Sequence, residues 1–161
     1  MSVVALVVIH AAILAYAFVG GVFLAFSDFI MRSLALTSGA GGVEAMQAIN
    51  REVFRWVFMA LFIGLAAISL LLGVYGLVYV GGVSGALIAL SGAVYVVGCF
   101  GVTVFRNVPL NETLAGMAHR DVNTQAYWSG TYLPRWTRWN TVRTVACALS
   151  AALLLTGVCT M

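Results

Sequence analysis

Charge is confined to two stretches of this chain: all eight Arg and all five acidic residues fall within residues 28–55 and 106–143, and Lys is absent. The remainder is apolar, with runs over residues 3–26, 57–80, 83–105 and 145–158. About 20 helical residues cross a hydrocarbon core of roughly 30 Å. The first three runs suffice alone, and the fourth does if it begins near Val142 and reaches Met161. At 63% hydrophobic and 8% charged residues, with a mean hydropathy of +1.05, the composition is not that of a soluble domain. Backbone groups in lipid must be paired within the protein, and four such runs in 161 residues point to helices rather than a barrel. The expected fold is all-α: a four-helix transmembrane bundle with short interfacial helices on the cytoplasmic side, one integral membrane domain over residues 1–161. The expected spans are approximately 3–30, 53–80, 83–106 and 142–161.

The ends carrying Met1, the Gly81-Gly82 turn and Met161 hold no basic residue, whereas the opposite ends hold all of them. The positive-inside tendency then puts both termini outside and both charged stretches in the cytoplasm, in a plasma (inner) membrane. The net charge of +3 is accordingly a topology signal, with membrane lipid as the partner and no case for nucleic acid. Ala15-Tyr16-Ala17 resembles a signal cleavage site, but no basic residue precedes it and the run continues to Phe26, so a retained helix is expected. Gly81, Gly85, Ala89 and Ala93 form a small-residue stripe, suited to packing within the chain or to a homo-oligomer seam. Cys99, Cys147 and Cys159 are isolated, without C-x-x-C spacing, and read as small buried hydrophobes.

The charged stretches also hold the unusual polar side chains. Residues 44–55 have helical spacing and are expected to lead without a break into the second span, with Gln47, Asn50 and Arg51 on one face. Pro109 lacks an N–H and is expected to interrupt the third helix, with Asn107 or Val108 near a cap and Asn111 and Glu112 on a new helix. Trp136, Trp139, Asn140 and Arg143 share a face continuous with the fourth span. They suit either an aromatic belt with a snorkelling Arg or a pocket wall. His10 and His119 are on opposite sides of the membrane, His10 as a bundle histidine and His119 in a solvated loop, so no metal or haem site is expected. Phosphate loops, dinucleotide fingerprints and nucleophile elbows are absent, and the expected cofactor is none.

Gly21-Val22-Phe23-Leu24-Ala25-Phe26-Ser27, Met46-Gln47-Ala48-Ile49-Asn50-Arg51, Asn107-Val108-Pro109-Leu110-Asn111-Glu112 and the segment from Trp136 to Thr144 resemble the anthrone oxygenase-like family of integral membrane proteins. The resemblance implies a pocket and suggests the oxidation of anthrones to anthraquinones, without an established metal or flavin. Many bacterial members carry His where this chain has Thr141 and Pro where it has Arg32, so a general base at position 141 is absent here.

Together these features suggest a cytoplasm-side polar and aromatic pocket for a lipophilic aromatic molecule. Its expected walls are Gln47, Asn50, Asn107, Asn111, Trp136, Trp139 and Asn140. A cofactor-independent oxygenase acting there on an anthrone-like or phenolic substrate would use Arg143 to stabilise an anion, with Glu112 or His119 taking the proton. The alternative is a non-catalytic membrane protein that binds a lipid or quinone or supports a partner complex.

Overall fold

The computed structural model describes residues 2–55 and 57–161. Its helices are α1 (Val3–Ala35), α2 (Gly41–Glu52), α3 (Val57–Val80), α4 (Gly82–Ala115) and α5 (Val122–Cys159). All but α2 are long and apolar enough to cross a membrane, so the chain is an all-α bundle of four span-length helices. α1 has 33 residues and is about 50 Å long, against a hydrocarbon core of roughly 30 Å. The excess length bears the charge: Arg32 on α1, Arg106 and Glu112 on α4, and Arg135 and Arg138 on α5, all at one end of the bundle.

α5 packs against both α1 and α4, and α3 closes the bundle against α4 and α1. Ile9, Tyr16, Val19, Ile88, Tyr95 and Leu154 are buried between them. Hydroxyl groups at this depth need protein partners. Tyr16 Oη is 2.7 Å from Ser69 Oγ, Ser91 Oγ donates to Ser150 O at 2.7 Å, and Tyr95 Oη donates to Phe62 O at 3.0 Å.

Glycine sets the α3–α4 approach: a Cβ on Gly85 would lie 2.2 Å from Gly76 O, and one on Gly92 would lie 2.2 Å from Ser69 O. The small-residue stripe therefore divides by role. Gly85 packs within the chain, Gly81 serves the α3–α4 turn at φ +68°, and Ala93 is exposed.

Two helix boundaries differ from expectation. α2 ends at Glu52, and residues 53–55 form a turn before α3 begins at Val57. The break lets α2 lie against the charged end of the bundle and bury Val43 and Met46 with Leu114, Trp128, Tyr132 and Trp136; a helix continuing straight into α3 would carry that apolar face into water. Pro109, in turn, does not interrupt α4. Val108, directly before it, is helical at φ −58°, ψ −48°, and its N–H reaches Thr103 O, closing a widened π turn over Thr103–Asn107. Widening the turn just before the proline absorbs its missing N–H and its ring. The same device recurs in α5, where a π turn over Trp128–Tyr132 precedes Pro134.

Candidate functional site

At the charged end, amide and hydroxyl groups from α1, α4 and α5 interlock. Asn140, fully buried, donates through Nδ2 to Phe23 O and to Ser27 Oγ, each at 2.6 Å, and thereby ties α5 to α1. Its Oδ1 accepts from Arg143 Nη2 at 2.6 Å, while Arg143 Nη1 donates to Thr103 Oγ1 on α4 at 3.2 Å. Asn107 is not a cap: its buried side chain crosses to α5 and donates to Trp136 O at 3.2 Å. Asn111 Oδ1 accepts from both Trp136 Nε1 and Tyr132 Oη at 2.8 Å, and Asn50 Nδ2 reaches the same Tyr132 Oη at 3.3 Å. Gln47 clamps α2 onto the end of α4 through Leu114 O at 2.8 Å and Met117 O at 2.9 Å.

Arg143 lies 16 residues from Cys159 along α5, about 24 Å, and so sits just inside a hydrocarbon core of roughly 30 Å. It is 5% exposed, and its guanidinium carbon stands 4.1 Å from the Phe23 ring centroid and 5.2 Å from that of Trp136. Rings on both sides offer this cation cation–π attraction. No carboxylate reaches it among the described residues, whose ion pairs are Arg55 with Glu52 and His119 with Glu44. Arg143 Nε and Asn107 Oδ1, both buried, have no hydrogen-bond partner among the described residues. A buried guanidinium without a counter-ion among the described residues is costly, and an anion held beside it would relieve that cost.

Arg143 faces a cavity of about 110 Å³. α1 contributes Val22, Phe23 and Phe26, α2 contributes Met46, Ile49 and Asn50, and α3 contributes Phe58, Met59 and Phe62. Val53 and Phe54 of the turn, Thr103, Val108 and Asn111 of α4, and Trp136 and Arg143 of α5 complete it. Phe23 meets Phe58 edge to face at 5.7 Å, forming a rigid aromatic wall. The cavity is smaller than the roughly 150 Å³ void that holds one benzene, so a flat aromatic molecule must extend through its rim. Val22 and Phe54 on that rim are 40% and 64% exposed, which opens the cavity sideways, between α1 and the 53–55 turn.

Among the expected site residues, the cavity wall thus includes Asn50, Asn111, Trp136 and Arg143, with Asn107 and Asn140 bonded behind it. Gln47 acts as a clamp outside the lining, and Arg51 is exposed. Trp139 is directed elsewhere: Arg106 lies 4.9 Å from its ring, and both border a groove on the outer face of α4 and α5. Glu112 is exposed, about 100° around α4 from Asn111. His119 meets Glu44 at 3.2 Å, in the α4–α5 connection. Neither assigned proton acceptor lines the cavity. His10 is not inside the bundle: it is exposed, with Nδ1 2.7 Å from Leu6 O of its own helix. Among the described residues no three His, Cys, Asp or Glu side chains gather in a metal-binding group.

Sequence reasoning missed Thr103 and Ser27, the hydroxyl partners of the Arg143–Asn140 pair, and the α3 aromatic wall. Thr103 stands four residues before Asn107 and eight before Asn111, a polar file in an apolar run that could have revealed it. Ser27 ends one of the motifs that carried the resemblance, and Phe58 and Phe62 have no distinguishing signal.

The family model for anthrone oxygenase matches residues 53–153, which hold the α3, α4 and α5 walls of the cavity. No curated protein and no solved structure matches the chain.

Proposed function

Since this chain belongs to the anthrone oxygenase family, we propose that it is an integral membrane oxygenase acting on an anthrone-like or phenolic substrate held against Arg143. The observation that carries this reading is the buried Arg143 guanidinium, without a carboxylate partner among the described residues, in the wall of an aromatic cavity. An anthrone that loses a proton from its CH₂ becomes an electron-rich oxyanion. The exocyclic oxyanion pairs with the Arg143 guanidinium, the ring lies against Phe23 and Trp136, and the rest of the molecule extends past Val22 and Phe54. Fixed donors in a dry site stabilise such an anion far better than water-exposed ones. The overall change, from CH₂ and O₂ to C=O and H₂O, balances without a further reductant, because the substrate supplies the electrons. With Glu112 and His119 outside the cavity, the proton passes to water at the rim and the protein acts by holding the anion.

The sideways opening fits a substrate dissolved in the bilayer. The arginine-bearing layer is assigned to the cytoplasmic face of the plasma membrane and both termini to the outside, on the positive-inside tendency.

The lack of a carboxylate or imidazole in the cavity wall favours a second reading, in which the site binds a quinone or phenol without transforming it. Protein in lipid nanodiscs, supplied with an anthrone, separates the two. An oxygenase raises oxygen uptake and quinone absorbance above empty nanodiscs, and Arg143→Gln returns both to background while Arg138→Gln does not. Oxygen uptake no faster than in empty nanodiscs overturns catalysis, and saturable quenching of tryptophan fluorescence under those conditions supports binding alone.

A further inference from the structure

Cys99 and Cys147 lie 48 residues apart in sequence, yet their Sγ atoms are 3.4 Å apart and both residues are fully buried. Small residues build this approach. A Cβ on Gly98 would lie 2.9 Å from Ala146 Cβ, and one on Gly20 would lie 2.9 Å from Cys147 Cβ, so α4 and α1 both close on α5 at this level. The pair also adjoins the cavity. Thr103, in its wall, donates to Cys99 O at 2.9 Å, and Arg143, also in its wall, precedes Cys147 by one helical turn. A disulfide has an S–S bond of about 2.05 Å, so the sulfurs need to close by only about 1.4 Å.

We propose that Cys99 and Cys147 form an oxidisable dithiol that peroxide converts into an intramembrane disulfide, tying α4 to α5 behind the cavity. One sulfur attacks the O–O bond of hydrogen peroxide, giving a sulfenic acid and releasing the first water. The second thiol then attacks that sulfur, and the S–S bond forms as the second water departs. Two thiols and one peroxide thus give one disulfide and two waters: the sulfurs lose two electrons, the peroxide oxygens gain them, and both thiol protons leave in water. Burial separates the pair from bulky aqueous thiols and disulfides and leaves it to small oxidants. The source of the peroxide rests on the oxygenase reading: a bound anthrone anion that passes two electrons to O₂, and takes hydroxyl from water instead, leaves as a hydroxyanthrone, and the resulting hydroperoxide anion, once protonated by water, is hydrogen peroxide about one turn from these thiols. The bridge would then report uncoupled turnover and fix the two helices that carry Thr103 and Arg143.

The test uses Cys159→Ser protein in nanodiscs, because Cys159 is exposed and would add an unrelated thiol. Hydrogen peroxide is added, the protein is denatured in acid, and free thiols are alkylated. The expected result is loss of both alkylation sites and an intact mass lower by two hydrogens, with restoration by dithiothreitol; adding Cys99→Ser should abolish the bridge. Two thiols that stay alkylatable, or a mass gain from sulfinic acid without a bridge, overturn the proposal. A parallel sample receives an anthrone in air and no peroxide. Bridging with added peroxide but none in this sample supports the dithiol and counts against peroxide release at the cavity, so the two ideas fail separately.

Discussion

Asn140→Ala tests how the polar end of the bundle is held together. The substitution removes two interhelical bonds, to Phe23 O and Ser27 Oγ, and the acceptor for Arg143 Nη2. Interhelical hydrogen bonds in membranes average about 0.6 kcal/mol and reach about 1.7 kcal/mol, so the α1 contacts account for roughly 1–3 kcal/mol. Losing the charge-assisted bond adds about 1.5–3 kcal/mol, because Arg143 already has a partnerless Nε and would keep only Thr103. The expected loss is about 3–5 kcal/mol in a reversible SDS unfolding titration followed by circular dichroism. Thr141→Ala removes one exposed contact to the same Ser27 and should cost less than about 1 kcal/mol. Asn140→Asp sharpens the test: it gives Arg143 an internal counter-ion but removes both donors to α1. Phenolate binding should then weaken by roughly tenfold or more, about 1.4 kcal/mol, even if the protein remains folded. An Asn140→Ala protein within about 1 kcal/mol of wild type, or an Asn140→Asp protein with unchanged phenolate affinity, would refute this account.

Trp136→Phe removes the donor to Asn111 and part of the cavity wall, and should weaken aromatic-ligand binding by roughly threefold to tenfold, about the worth of one neutral hydrogen bond. Trp139→Phe should leave affinity unchanged, and equal losses in a fluorescence titration would show that both tryptophans contact ligand. Gly85→Leu forces a side chain into Gly76 O and should abolish the folded protein in detergent size-exclusion chromatography; a folded protein of reduced assembly size would instead place Gly85 at an oligomer seam. Reporter fusions at Gly82 and after Met161 should read outside, and those near Ser38 and Asn123 inside, with the reverse pattern overturning the orientation.

The span-length helices were legible because the bilayer imposes a length on any helix that crosses it, and the apolar runs record that length directly. Side-chain direction was less legible, as α5 illustrates. Relative to Trp136, Asn140 lies about 40° and Arg143 about 20° around the helix, whereas Trp139 lies about 60° away, enough to turn it from the cavity to the outer groove. Glu112 points away from the cavity for a similar reason, while His119 is drawn to Glu44 on α2, a neighbour set by tertiary folding. The Cys99–Cys147 proximity could not be read at all, since it depends on Gly98 and Gly20 letting three helices meet at one depth. Pro109 was misjudged because the bias against a helical residue before proline is a preference that Val108 overrides at φ −58°, ψ −48°, while the π turn absorbs the other penalty, the missing N–H and the ring's clash with the preceding turn.

The two prolines and their widened turns have a consequence for how this chain tolerates change. A π turn accommodates one residue more than an α turn, so each shifts the rotational phase of everything beyond it by about one residue's advance, roughly 100°. Thr103–Asn107 and Trp128–Tyr132 therefore act as gear teeth between two angular settings on one rod: on α4 the apolar span before the turn keeps one setting and Asn111 beyond it another, and on α5 residues 122–127 keep one and residues 133–159 another. Deleting a single residue from either turn would spare the hydropathy pattern while turning Asn111 on α4, or Tyr132 relative to Trp128 on α5, out of mesh. Length changes of one residue at these points should accordingly be far more damaging than most substitutions beside them.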